Sequence, residues 1–405
     1  MPEPADAMLT PAEAEALIQR HLTCLPIESL PLVQCVGSVL RENIYAERDQ
    51  PPFDRVTMDG IAIDSAAWRD GRRHFAVLDV QAAGDAPRRL REPSACLEVM
   101  TGAVLPHGCD CVVPIEQVEM HDGTAEVRVS GIGAGQFVHR RGSDGRQGDL
   151  LLQAGTVLRA PEIAVAASAG MARVRVSGQP AVMVVSTGNE LVEPGEPILE
   201  HQIRRSNAYA VAGALRQRGF SRVGDDHLPD DLDALRSRLR LHLDTHEVLI
   251  LSGGVSMGRY DLVPKVLAEL GVTTVFHRIA QRPGKPMWFG VTGGGQAVFA
   301  LPGNPVSTLV CLVRYVLPAL YGAMGLLAPR TERIALAEPV QFDAPLSSFV
   351  PVEVSLDDWG RPWAVPHRIN TSGDFASLAG TDGFVELPPG PNTFPRGFVT
   401  RLCRW

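Results

Sequence analysis

Residues 248–270 read V-L-I-L-S-G-G-V-S-M-G-R-Y-D-L-V-P-K-V-L-A-E-L. Val248, Leu249, Ile250 and Leu251 form an unbroken apolar run, which suits a strand covered on both faces. Ser252, Gly253, Gly254, Ser256 and Gly258 follow as a loop whose glycines reach backbone conformations closed to other residues. Asp261 then stands where a helix N-cap belongs, ahead of the apolar positions Leu262, Val266, Leu267 and Leu270. A strand, a Gly/Ser loop and a helix N-terminus in that order present free N–H groups to an anion.

The same alternation continues on both sides, from 181 to about 325. Strands are expected at 182–185, 248–251, 274–277 and 298–301, with helices at 207–218, 230–242, 261–270 and 305–321. That pattern belongs to a parallel α/β domain, in which ligands bind beyond the carboxyl ends of the strands. Two further Gly-containing turns fall at such ends. One is Ser186-Thr187-Gly188-Asn189-Glu190, and the other is Leu301-Pro302-Gly303-Asn304-Pro305-Val306-Ser307. Any α/β domain has such turns, but the three together suit phosphate groups held by backbone donors. Glu190, Asp230, Asp231 and Asp261 stand around them, and Gln281-Arg282-Pro283-Gly284-Lys285-Pro286 is a cationic turn nearby in sequence. Carboxylates beside phosphates repel unless a divalent cation bridges them, so the mixture points to Mg²⁺ with Lys285 as a fixed counter-charge. Asp261 reads equally as a cap paired with Lys265, and Asp230 and Asp231 as an acidic first turn.

The remaining chain divides around this domain. Thr10-Pro11-Ala12-Glu13 is a capping box that opens a helix to about Leu22, and a second helical pattern spans 30–41. Short β-rich runs separated by glycine turns fill 51–148, for example at 74–78, 111–114 and 125–129. Residues 151–176 return to patterns that pack back on the first segment, which makes the β region an insertion. Residues 330–405 are strand- and proline-rich. The expected division is a helical/β linker and dimerisation domain (1–47 with 149–179), an inserted β domain (48–148), a central α/β domain (180–329) and a small C-terminal β domain (330–405).

Composition excludes several classes. At 405 residues and 45% hydrophobic content the chain can bury more than one core. A net charge of −8 gives nucleic-acid binding no electrostatic support. No apolar run approaches the roughly 20 residues of a bilayer span, and the opening stretch lacks the pattern of a secretory signal. The 7 cysteines are scattered and odd in number, which speaks against a disulfide framework and for a reducing cytoplasm. Cys109 and Cys111 lack a second Cys or His pair at metal spacing and read as small apolar residues.

Taken together, the motifs resemble the molybdopterin molybdenumtransferase family, which includes the E domain of gephyrin. The matching pieces are F-D-x-x-x-M-D-G at 53–60, M-T-G-A at 100–103, R-x-G-S-D at 140–144 and S-T-G-N-E-L at 186–191. They continue with S-N at 206–207, S-G-G-V-S-M-G-x-Y-D at 252–261, P-G-K-P at 283–286 and L-P-G-N-P-V-S at 301–307. The resemblance implies an enzyme of molybdenum-cofactor biosynthesis that inserts molybdate into adenylylated molybdopterin and releases AMP in a Mg²⁺-dependent step. It implies an elongated homodimer of four-domain subunits whose cleft lies between the α/β domain of one subunit and the β domain of the other. A molybdopterin adenylyltransferase and acceptor molybdoenzymes are its implied protein partners.

Carried over by motif, the implied catalytic residues are Asp59, Thr101, Asp144, Glu190, Asp261 and Lys285, with Glu190 and Asp261 on the metal. The implied substrate-binding residues are Ser186, Thr187, Gly188, Ser206, Asn207, Asp230, Ser252, Gly253, Gly254, Arg282, Pro302, Gly303, Asn304, Pro305 and Ser372. Asp230 is taken over Asp231, which the motif does not separate, and Ser372 matches only through the loose Asn370-Thr371-Ser372-Gly373. The chain departs from the family at Asn189, Arg205, Arg259 and Arg282, and the arginines are expected to make the loops more cationic. Two other functions fit the same features: the earlier adenylyltransferase step, which the α/β region also resembles, and a scaffold on the same fold.

Overall fold

The computed structural model describes residues 8–254, 262–327, 331–342, 345–367, 369 and 371–405. Its centre is a six-stranded sheet built from β1 (Val182–Thr187), β2 (Val223–Leu228), β3 (Val248–Ser252), β4 (Val272–His277), β5 (Trp288–Thr292) and β6 (Ala297–Leu301). The strand order is β2-β1-β3-β6-β5-β4. β1, β2, β3 and β6 pair in parallel, whereas β5 is antiparallel to both of its neighbours, β6 and the edge strand β4, so the sheet is mixed rather than wholly parallel. The four strands expected from sequence are present. β2 and β5 are additional, because Asp225 and Asp226 in β2 and Gly290 in β5 interrupt the apolar pattern that marks a strand.

Alternating side chains of the central strands feed two cores. Val182, Val184, Ile250, Phe299 and Leu301 face helices α1 (Ser206–Gln217) and α4 (Pro305–Ala323). Val185, Leu249, Leu251, Val298 and Ala300 face α2 (Leu232–Thr245) and α3 (Val263–Glu269). Burial on both faces is what the unbroken apolar runs required, and each such side chain contributes about 1.5–3 kcal/mol. By length and composition α4 would cross a membrane, but it is a core helix, with 72% of its apolar window buried.

The capping box at Thr10 forms as read, with the Glu13 carboxylate accepting from the Thr10 N–H at 2.8 Å. The second expected helix does not. Ile27–Pro31 is a strand paired antiparallel with Arg173–Ser177, followed by the 3₁₀ turn Leu32–Gln34. Pro26, Pro31 and Gly37 bracket too short a stretch for a stable helix, and the partner strand satisfies the backbone instead. Residues of 150–176 do pack back on this segment, sharing a core that includes Leu40, Ile44, Leu158 and Val176.

Two more six-stranded sheets complete the chain. One runs in the order Cys111–Pro114, Gly60–Ile63, Ala95–Val99, His74–Gln81, Thr124–Val127, Val118–His121. The other contains Ser347–Leu356, Pro362–Pro366, Arg333–Leu336, Val399–Arg404 and Gly383–Leu387. Its edge strand is Gln281–Arg282, which leaves the central domain to pair in parallel with Ser347 and Ser348. The cationic turn is thereby stitched to the C-terminal sheet.

Candidate active site

Strand register lines up the rim that the sequence proposed. Ser186 on β1 is paired with Ser252 on β3, and Ser252 with Leu301 on β6, so the three glycine-containing turns leave adjacent strands side by side. Their close approach depends on Gly253. It has φ +96°, and a Cβ there would stand 2.9 Å from the Thr187 carbonyl oxygen.

A cavity of about 410 Å³ opens over these turns. Ser186, Thr187, Glu190, Ser206 and Asn207 line it from one side, and Ser252, Gly253, Gly303, Asn304 and Pro305 from the other. Asn207 ties the walls together. Its amide nitrogen donates to Ser252 Oγ at 2.9 Å and to the Gly303 carbonyl at 2.7 Å. Asn207 Oδ1 and Thr187 Oγ1 are buried with no hydrogen-bond partner among the described residues. An orphaned buried polar atom is costly, so these oxygens are suited to meet a ligand. With the exposed Glu190 carboxylate they form an all-oxygen donor set, the chemistry that Mg²⁺ takes. Asp261, the other expected metal residue, lies outside the described residues, as does Arg259.

Arg205 corrects one expectation. Rather than presenting a free cation, it is 5% exposed and committed on every side. It donates to Ser186 Oγ at 3.2 Å, to Asp225 Oδ2 at 2.7 Å and to the Glu193 carboxylate. Burial opposes its charge, and the hydrogen bonds to Glu193 and Asp225 more than offset that, holding its pKa above the usual value. The same arginine holds the Glu193 carboxyl below its ordinary range. Arg205 therefore fixes the Ser186 hydroxyl and leaves no net positive charge for a phosphate.

Asn189, Asp230 and Asp231 make different bonds. Asn189 Oδ1 accepts the Asp230 N–H at 3.2 Å, while Asp231 caps α2 by accepting from Asp233 and Ala234 N–H groups at 3.1 and 2.9 Å. The Asp231 carboxylate is thus engaged locally, although both aspartates are exposed.

A second cavity, of about 1150 Å³, lies between the cationic turn and the C-terminal sheet. Arg282, Lys285, Pro302, Asn304 and Ser372 line it, with Phe349 and Ile369 on the apolar side. Arg282 and Lys285 are exposed and carry the positive charge that Arg205 does not. Asn304 lines both cavities, and its amide donates to Ser372 Oγ at 2.7 Å. The Ser372 carbonyl also accepts the Val306 N–H at 3.1 Å, which anchors the C-terminal segment to the start of α4.

The motif residues of the other β region form a separate surface. Asp59 Oδ1 accepts from the Thr101 N–H at 2.6 Å and the Thr101 hydroxyl at 2.8 Å, and these bonds hold its carboxyl below the usual range. Asp144 is bonded to His139 Nε2 at 2.8 Å, and Asp54 accepts from Arg140 at 2.6 Å and from the Arg141 N–H at 2.8 Å. The two motifs at 53–60 and 140–144 are therefore laced together. Asp59, Thr101 and Asp144 line neither cavity.

This arrangement has relatives. Residues 9–170 match the MoeA N-terminal region (domain I and II), residues 183–322 a probable molybdopterin binding domain, and residues 333–399 the MoeA C-terminal region (domain IV). A Synechocystis protein named molybdopterin molybdenumtransferase is 39% identical over 98% of this chain and 100% of its own length. The chain belongs to the molybdopterin molybdenumtransferase family. A protein of that name from Staphylococcus aureus is 29% identical over 96% of this chain and 94% of its own. A solved molybdopterin biosynthesis MoeA protein from Pyrococcus horikosii superposes with a TM-score of 0.82 at 29% identity, covering 98% of this chain and 99% of that one.

Within this molybdopterin molybdenumtransferase family member, sequence reading missed Arg205 as a loop anchor and Gln281 as the buried root of the cationic turn. Gln281 is fully buried, and its side chain donates to the Pro283 carbonyl at 3.1 Å. Nothing in a local window marks either residue, because the Ser186, Glu193 and Asp225 partners of Arg205, and Cys311 and Tyr315 beside Gln281, lie in other elements.

Proposed function

We propose that this protein inserts molybdate into adenylylated molybdopterin and releases AMP. The observation that carries the reading is the pair of cavities joined at Asn304. One has glycine turns and unpartnered oxygens suited to a nucleotide, and the other has Arg282 and Lys285 suited to a small oxyanion. Backbone N–H groups of the 186–190 and 301–305 turns hold the pyrophosphate, and Asn207 keeps the turns at fixed separation. Lys285 offsets charge growing on the oxygens as a water oxygen bonds to phosphorus, loses its proton to solvent and displaces AMP, and Arg282 orients the molybdate. Glu190 and Asp261 would hold Mg²⁺, which when bound supplies charge neutralisation at the pyrophosphate.

Asp59, Thr101 and Asp144 enter from a second subunit in a homodimer, which accounts for their absence from the walls of both cavities in their own chain. An adenylyltransferase and an acceptor molybdoenzyme then stand before and after this step, in the cytoplasm.

Incubation with adenylylated molybdopterin, Mg²⁺ and molybdate is expected to release AMP only when molybdate is present. Lys285→Ala should lower kcat/KM about a hundredfold with folding intact, the loss of a charged contact made in the transition state. AMP release independent of molybdate, or adenylate formation from ATP, overturns the reading in favour of the earlier step.

A further inference from the structure

The turn that carries Arg282 and Lys285 is held from below by the middle of helix α4. Within α4 the segment Leu312–Val316 is a π turn, wider than the α-helix on either side. It places the buried Tyr315 hydroxyl against Gln281 Oε1, to which it donates. The other end of the Gln281 amide donates to the Pro283 carbonyl at 3.1 Å and approaches Cys311 Sγ at 3.6 Å, one helical turn before Tyr315. Both ends of a fully buried side chain are thereby used. The turn above it is closed by backbone bonds, Ile279 N–H to the Lys285 carbonyl at 2.9 Å and Met287 N–H to the Gly284 carbonyl at 3.3 Å.

No slack remains between helix and turn. A Cβ at Gly284 would lie 2.6 Å from both Cys311 Sγ and Gln281 Nε2. Rotation of the helix is blocked as well, since the neighbouring Arg314 pairs with Glu15 at 2.7 Å and Glu386 at 2.9 Å. The same π turn therefore grips the N-terminal helix, the C-terminal sheet and the root of the cationic turn.

We propose that Tyr315 is a positioning residue, acting through Gln281 to set the adjacent Arg282 at the larger cavity. The inference rests on the reading of that cavity as an oxyanion site. Tyr315→Phe keeps the ring and deletes the bond. Hydrogen exchange of the amides in 279–287 should then rise at least fivefold while the rest of the chain stays unchanged. In the AMP-release assay the KM for molybdate should rise about tenfold with kcat within twofold, the signature of lost ground-state positioning. In an Arg282→Met background the same substitution should add less than twofold to that KM, because the group that orients molybdate is already gone.

Unchanged exchange in 279–287 overturns the proposal, as does local exchange that rises with no change in the KM for molybdate. Effects that add fully in the Arg282→Met background also overturn it, since they indicate a general structural role. Should Tyr315→Phe not fold, Gln281→Met removes the same bond from the other side and is read the same way. If the unaltered protein releases no AMP with molybdate, the functional reading has failed, and the exchange measurement alone decides whether Tyr315 sets the turn.

Discussion

Asn207 shows how one side chain organises a site. Both of its amide hydrogens are spent on neighbouring turns, and its oxygen is left for a ligand. Asn207→Ala deletes two hydrogen bonds of about 0.5–1.5 kcal/mol each, so the protein should lose about 1–3 kcal/mol of stability, and kcat/KM should fall as the turns lose their fixed separation. Steady-state kinetics and thermal melting on the same variant check both parts. The cysteines give a second test at this scale. Burial pushes the Cys96 and Cys109 thiols up to about 12 and Cys403 up to about 11, and raises Cys111 and Cys311 further still. The thiolate is the reactive form, so near neutral pH a maleimide should label the exposed Cys24 ahead of all of these, as peptide mapping would show. Asn207 enters the sequence reading only through the S-N motif at 206–207 and the family resemblance. Its bonding partners, Ser252 and Gly303, lie 45 and 96 positions away in sequence and became visible only in the fold.

At the scale of elements, the strand-to-turn junctions were the most legible feature. Runs such as 248–252 and 297–301 have to be buried on both faces, and only a central strand does that. The edge strand β2 escaped notice because its aspartates answer to side chains outside its own segment. Asp226 accepts from His242 Nε2 at 2.6 Å and from Arg238 at 2.7 Å, both on α2. The 30–41 segment misled for a related reason, since its backbone is paired by a strand from the 173–177 region. Gly253 tests the junctions directly. Gly253→Ala meets both the +96° backbone and the Thr187 carbonyl, so it should destabilise the protein by about 1–3 kcal/mol and cost activity more than stability. A chemical-denaturation curve indistinguishable from that of the unaltered protein would show that the turns tolerate wider spacing.

At the scale of the whole molecule, Arg314 joins three regions that the sequence keeps far apart. It is 2% exposed and bridges Glu15 and Glu386, with Arg401 beside the same two carboxylates. Breaking a buried pair by removing one partner costs about 3–5 kcal/mol, and the partial exposure of both carboxylates trims this to about 2–3 kcal/mol. Arg314→Met should therefore lower the melting temperature by several degrees and loosen the larger cavity more than the smaller one. Calorimetry reads the first effect, and the KM for molybdate set against that for the adenylylated substrate reads the second.

The sequence by itself determined four of the six central strands, the glycine turns that follow them and the capping of the first helix. Each of these follows from local pattern or from residue type at a fixed spacing. Tertiary structure alone decided that Arg205 is neutralised rather than offered to a phosphate, that Asn304 joins two cavities, and that Gln281 roots the cationic turn in a distant helix. These outcomes depend on which charges and amides meet across long separations in the chain. No local window contains both partners, so the chemistry of each side chain was legible while its assignment was not.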